Sequence, residues 1–254
     1  MTELTNWLMV FLRASAMLSI FPIFSATNFP VQLRLALGAL LSALVSATLP
    51  DPPPLAPDTL GVIGQMAGEV AIGLVFGFAS KMIFYTLEIA GAIIGIEIGL
   101  SMPAGLLPMM DQASTATSGI LYYLAAMLWL ALDMHHWMLI AFQKTYVYLP
   151  IGGAHFSKLL MTDMVSRTSG MFVIALQLAA PLMAVSFIIM LVFAALGRAV
   201  PQMNVFSESL ALRPLVGLSV FGLCLQLTSQ HIINYLRRLP EDMLHVAQIL
   251  RAGA

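Results

Sequence analysis

The chain has 254 residues, of which 60% are hydrophobic and 9% are charged, and its formal net charge is −1. A soluble domain carries roughly 25% charged residues and cannot hide this much apolar surface, so the composition excludes an ordinary soluble globule and points to a membrane. The charge balance offers nothing to nucleic acid, and the single cysteine, Cys224, excludes an intrachain disulfide framework and a cysteine-based zinc site.

The first element is "MTELTNWLMVFLRASAMLSIFPIF". Its first charge is Glu3, and Arg13 lies inside the apolar run. A cleaved signal wants a basic region before its apolar core, so this stretch reads as a retained membrane segment. A spanning helix needs about 20 apolar residues. Candidate spans are 7–26, 33–49, 61–80, 82–101, 119–149, 169–197 and 210–236. "PDPPPLAPD", Pro50 to Asp58, separates the second from the third, because its five prolines cannot continue a helix. Other loops are Pro103–Ser118, Pro150–Arg167 and the stretch around Pro201.

Two segments are overlong. Between Gly61 and Gly99 only Ser80-Lys81 marks a turn, and one unbroken helix there would measure about 58 Å against a hydrocarbon core of about 30 Å. Segment 169–197 would measure about 44 Å, with Pro181 as a kink. Such helices fold back or project from the bilayer. Arg237 and Arg238 place the C-terminus in the cytoplasm, and Lys144, Lys158 and Arg167 mark another cytoplasmic loop. The Pro50–Asp58 loop has no Lys or Arg and belongs outside. Together these give seven crossings with the N-terminus out.

Gly91, Gly95 and Gly99 recur every four residues, as do Gly64/Gly68 and Gly73/Gly77, so each set lines one helix face. Small faces let helices approach closely in a membrane, either within the chain or against other subunits. Glu69, Glu88, Glu97 and Asp133, with Arg13 and Lys81, are ionisable groups in apolar segments. Each costs a few kcal/mol at membrane depth, so it pairs, escapes the bilayer or serves a proton relay. Glu88 follows Lys81 by two turns, too far for an easy pair on one helix.

"LDMHHWM" raises the question of a metal. Neighbouring side chains on a helix point about 100° apart, so His135 and His136 do not readily share an ion. Asp133 and His136 share a face, but no third ligand is identifiable, and the tract reads as a helix end near the membrane surface. No nucleophile motif, phosphate loop or dinucleotide fingerprint occurs, so neither an enzyme nor a cofactor is expected. The loop "PAGLLPMMDQASTATS" is polar and proline-bounded, with Met109 and Met110 in its middle. It is either an exterior loop or a segment folded back into an aqueous cavity, with small residues from Gln112 to Ser118 as a compliant tether. "GRAVPQMNVFSES" sets Arg198, Pro201, Gln202, Asn204 and Glu208 between two apolar runs.

The core of that last stretch, "LGRAVPQMNVF" (Leu196–Phe206), resembles the signature of the FliR/SctT family, the export-gate component of flagellar and injectisome type III secretion. "FLRASAMLSIFPIF" resembles the family's N-terminal helix, with Arg13, Pro22 and Phe24 in place. "EIAGAIIGIEIGLSMPAGLLP" is similar to its Gly-rich helix and following loop. "DMHHWMLIAFQKTYVYLPIGG" is similar to its Asn-Gly-His-His…Leu-Pro-x-Gly block. Asp133-Met134 stands where Asn-Gly is usual, and Arg213 before Pro214 departs from the usual Gly/Pro-then-Lys pattern.

The resemblance implies an all-α membrane protein of long kinked helices and helical hairpins. A FliP-like part (1–168) precedes a FliQ-like hairpin and cytoplasmic tail (169–254), with the hairpin at 169–236. It implies a pore built with FliP-like and FliQ-like subunits in the bacterial inner membrane. The partners are an FlhB-like subunit, membrane lipid and unfolded exported proteins in transit, and no nucleic acid. Gly105–Ser118 resembles the plug of the resting pore, with Leu106, Leu107, Met109 and Met110 as its seal. Arg198, Pro201, Gln202, Asn204 and Phe206 form the signature corner, either buried within the assembly or offering Arg198 and Glu208 directly to a neighbour. Met203 favours the flagellar over the injectisome system. The competing class is a small secondary transporter or channel with Glu69, Glu88 and Glu97 as coupling acids, but the chain has no convincing internal repeat.

Overall fold

The structure is a computed structural model that describes residues 2–25, 29–49, 58–100, 115–200, 202 and 204–252. The described residues form seven helices and no strand: α1 (Thr2–Ile20), α2 (Val31–Ser46), α3 (Thr59–Glu97), α4 (Ala116–Ala131), α5 (Met134–Tyr148), α6 (Lys158–Ala199) and α7 (Val205–Ala252). The chain is an all-α membrane protein. It folds into two compact units, one of residues 1–82, 130–168 and 236–254, the other of residues 83–129 and 169–235.

Two expectations are corrected. Ser80-Lys81 is not a turn: α3 runs 39 residues without a break. The Ser80 hydroxyl donates to the Phe76 carbonyl at 2.9 Å, so the polar side chain is satisfied one turn back and asks nothing of the backbone. Nor do seven separate helices of spanning length and apolarity occur among the described residues. Among the described residues three helices are long and apolar enough to span, α3, α6 and the Leu212–Arg251 part of α7, with the bent pair α4–α5 a fourth if it counts as one span. α6, with 42 residues, is about 63 Å long by its rise, twice the hydrocarbon core, and carries Pro181 inside it.

In the first unit α1 lies against α3. A Cβ on Gly73 would stand 2.3 Å from the Arg13 carbonyl oxygen, and one on Gly77 would stand 2.9 Å from the Met17 carbonyl oxygen. The four-residue glycine spacing is therefore spent on bringing α3 to α1. Met9, Val10 and Met17 of α1, Ile72 and Phe76 of α3, and Met138 and Phe142 of α5 are buried there. α7 does not end at Arg238. It continues through Pro240, and Leu239, Met243, Val246 and Leu250 recur at helical spacing and are buried. Arg167 ties this end of α7 to the start of α6, donating to Asp163 and to Asp242, each at 2.7 Å.

The second unit holds the end of α3, α4 and most of α6 and α7. Phe84, Leu87, Ile94, Leu121, Trp129 and Leu182 are buried in it. α3 stops in a Schellman motif: Leu100 N–H donates to the Gly95 carbonyl at 2.9 Å, Gly99 N–H to the Ile96 carbonyl at 3.1 Å, and Gly99 takes φ +75°. Gly99 is thus a helix stop whose positive φ suits glycine, and a Cβ there would meet Pro214 and Arg213 of α7 at 3.8 and 3.9 Å.

Candidate functional site

The first unit holds a fully buried ion pair. Arg13 of α1 meets Glu69 of α3 as a fork: Nε to Oε2 at 2.6 Å and Nη2 to Oε1 at 3.0 Å. Both side chains are 0% exposed. The remaining guanidinium nitrogen, Nη1, donates to the Leu149 carbonyl at 3.2 Å, and Gly152 N–H donates to Glu69 Oε1 at 3.0 Å. The Arg13 Cζ also lies 4.0 Å from the centroid of the Tyr146 ring, a cation–π contact. Glu69 is therefore engaged on both oxygens by nearby groups, and the arrangement is a structural clamp.

The loop Leu149–Gly153 is shaped to reach this clamp. Gly153 N–H closes a turn on the Pro150 carbonyl at 3.1 Å, and Gly152, the third residue of that turn, takes φ +75°. A glycine satisfies this position without strain and turns its N–H toward the carboxylate. Arg13, Glu69 and the Leu-Pro-x-Gly block stood out separately in the sequence. Only the fold shows that they form one cluster.

In the second unit the crossing of α3 and α4 is equally close. A Cβ on Gly91 would stand 2.4 Å from Ser118 Cα and 2.6 Å from Ser118 N. Thr117 Oγ1 donates to the Gly91 carbonyl at 2.6 Å, and Ser118 Oγ donates to the Glu88 carbonyl at 2.9 Å. Thr115 Oγ1 reaches the Gly91 carbonyl at 3.3 Å. So Thr115–Ser118 are not part of a compliant tether, since they fix the start of α4 to α3. Leu106, Leu107, Met109 and Met110 lie outside the described residues. The segment that holds them is bounded by two fixed points on α3, the Gly99 stop and the Gly91 crossing.

Gly91→Ala is expected to destabilise the purified chain by about 1–3 kcal/mol, the usual cost of overpacking, because backbone and not a flexible side chain stands in the way. A Cβ on Gly68 meets nothing within 4 Å, so Gly68→Ala is expected to be neutral or slightly stabilising. Thermal unfolding of both variants in detergent checks this; equal midpoints would mean that the crossing is loose.

A third cluster closes the end of α3. Arg213 Nη2 of α7 donates to Ser186 Oγ of α6 at 3.0 Å, and that hydroxyl donates to the Glu97 carbonyl at 2.9 Å. One of the orphan carbonyls of the α3 terminus is thereby satisfied. Nothing in the apolar pattern marks Ser186. Arg213 stood out only as a departure from the resembling family's pattern.

The model of the bacterial export proteins, family 1, matches residues 4–239, a range containing all three clusters. The chain belongs to that family. It is 27% identical over 247 residues to the flagellar biosynthetic protein FliR of Bacillus subtilis, covering 96% of this chain and 95% of the relative. The FliR protein of Caulobacter vibrioides is 29% identical over 218 residues, covering 85% of this chain and 87% of its own length. That of Escherichia coli is 27% identical over 248 residues, with 94% of each chain covered. The chain is a membrane component of flagellar protein export.

In this export protein the signature corner is the junction between the two longest helices. α6 ends at Ala199 and α7 begins at Val205. Asn204 stands at the N-cap position of α7, with its carbonyl accepting from Glu208 N–H at 3.2 Å. Arg198, Gln202, Asn204 and Glu208 are exposed in the chain by itself. Pro201 and Met203 lie outside the described residues, as does the Phe206 side chain. Lys81, Glu88 and Glu97 are half-buried.

Proposed function

We propose that the chain is a core subunit of the flagellar export gate. With FliP-like and FliQ-like subunits, and an FlhB-like subunit beside them, it forms the pore through which unfolded substrates cross the bacterial inner membrane. The C-terminal end of α7 faces the cytoplasm. Residues 1–168 supply a FliP-like part and 169–254 a FliQ-like hairpin with its tail, and the signature corner meets neighbouring subunits.

One observation carries this reading beyond family membership. Only 22% of the most apolar window of α6, and the same share of that of α7, is buried within the chain, against 61% for α3. Exposed apolar side chains run along α6 from Leu159, Met161 and Val165 through Phe172 and Ile188 to Leu196, about 56 Å by the helical rise, and Leu223 of α7 is exposed as well. Yet α6 and α7 are about 63 and 72 Å long by their rise, so a bilayer core of about 30 Å covers less than half of either. Apolar helix outside the bilayer needs protein against it, and other helical subunits provide that. Of the acids in the competing transporter reading, Glu69 gains nothing from this geometry, since both its oxygens are clamped.

The test is co-expression with FliP-like and FliQ-like subunits, followed by mass measurement of the purified complex. A complex containing one copy of this chain is expected. Charged substitutions at Ile188 and Leu223, exposed in the chain alone, should abolish the complex while leaving the chain in the membrane. A complex formed normally by those variants would overturn the reading of these faces as subunit contacts.

A further inference from the structure

On a straight helix the tract Leu132–Met138 is one metal ligand short, because His135 and His136 diverge. The chain is not straight there. Between α4 and α5 the axis bends by 74°, and Asp133 takes the left-handed φ of 54° at the N-cap of α5. This corner swings the carboxylate back over the first turn. Asp133 Oδ1 stands 3.9 Å from His135 Nε2 and 3.7 Å from His136 Nδ1. The two imidazole centroids are 4.1 Å apart. One donor atom from each of the three residues falls within 4.8 Å of the others.

We propose that Asp133, His135 and His136 bind one divalent transition-metal ion of the zinc class. Donors around a tetrahedral zinc with bonds of about 2.0–2.2 Å lie about 3.4 Å apart. The two imidazole nitrogens stand 3.9 and 3.7 Å from Asp133 Oδ1, within about 0.5 Å of that spacing. Adjacent histidines converge because one presents Nε2 and the other Nδ1. Two imidazoles and one carboxylate select zinc, cobalt, nickel or copper over magnesium and calcium, which take oxygen donors. A helix N-terminus disfavours a cation, and the Asp133 charge opposes that effect. All three side chains are at least partly exposed, with 36%, 65% and 72% of His135, His136 and Asp133 accessible, so the fourth position is left to water. The corner residue and the first turn of α5 would then be joined through the ion.

The experiment uses the untagged full chain in detergent, stripped of metal and titrated with Co²⁺, whose visible absorption reports its coordination. Binding of one equivalent is expected, displaced by Zn²⁺ and indifferent to Mg²⁺. Even the loss of an outer partner costs about 10–100-fold in affinity, so Asp133→Asn and His136→Ala should each weaken Co²⁺ at least about tenfold. His155→Ala, which alters a histidine outside the cluster, should change nothing. Thermal unfolding without metal should be the same for all variants, which separates loss of a ligand from loss of the fold. No Co²⁺ binding by the parent chain, or binding that survives Asp133→Asn and His136→Ala unchanged, would overturn the proposal.

Discussion

Arg13→Leu is expected to destabilise the chain by about 3–5 kcal/mol, the range for stranding one member of a buried ion pair. The substitution leaves the Glu69 carboxylate at 0% exposure with Gly152 N–H as its remaining described hydrogen-bond donor, and it strips the Leu149 carbonyl of the Arg13 donor. A leucine fits the apolar surroundings of α1 well, so the loss comes from desolvated charge and not from a cavity. Arg13→Lys is expected to fall between, because a single ammonium keeps the charge but cannot make the two-pronged contact and also reach Leu149. The double variant Arg13→Leu/Glu69→Leu removes both charges, and Arg13→Leu and Glu69→Leu are its two single changes. It should lose less than the sum of the two single changes, with a coupling of about 0.5–3 kcal/mol. Unfolding midpoints of the four proteins in detergent measure that coupling. Losses that simply add would mean the two side chains do not meet, and would remove the clamp from the account of how α1, α3 and the Leu149–Gly153 turn are held.

The members of that clamp were visible in the sequence while their partnership was not. An arginine and a glutamate inside apolar runs are conspicuous because charge is rare there. They lie 56 residues apart in sequence, and only the α1–α3 approach at Gly73 and Gly77 brings them together. Helix identity was legible for the same reason that helix ends were not. Apolar runs are easily seen, but Ser80 satisfies its hydroxyl inside α3, so a polar residue gave a false stop. Pro240 did not stop α7, because the apolar spacing beyond it offers Met243, Val246 and Leu250 a buried face. The real break at Asp133 has neither glycine nor proline. A lone Asp tolerates the left-handed region better than most residues, and that is a weak signal in a run otherwise apolar from Ile120 to Met134. Missing it also hid the convergence of His135 with His136, since the angle between neighbours was taken from a straight helix.

Deleting Met109–Ser114 is expected to leave assembly intact and to make the inner membrane leaky to small ions and dyes. The composition of the loop, its resemblance to a pore plug and the described residues that bound it all lead to this expectation. If Leu106, Leu107, Met109 and Met110 form a soft apolar seal, its position depends on where its ends are held. Those ends are not compliant. On one side α3 stops at the Gly99 motif; on the other Thr115, Thr117 and Ser118 bond to the carbonyls of Gly91 and Glu88. The deletion must therefore spare Thr115, because removing it would disturb the α3–α4 crossing and confound a leak with misfolding. Shortening the segment between two fixed ends pulls any seal out of register without touching either anchor. An exterior loop would behave otherwise, since trimming it alters no barrier. The measurement is conductance, or uptake of a normally excluded dye, in cells making the variant with its FliP-like and FliQ-like partners, alongside recovery of the intact complex. A recovered complex with no added permeability would assign the seal to the partner subunits. A leak without a recovered complex would point to damaged assembly, and Thr117→Val would then decide. It keeps the full loop and removes one anchoring hydrogen bond, so a plug held by that anchor should leak partially in an assembled complex.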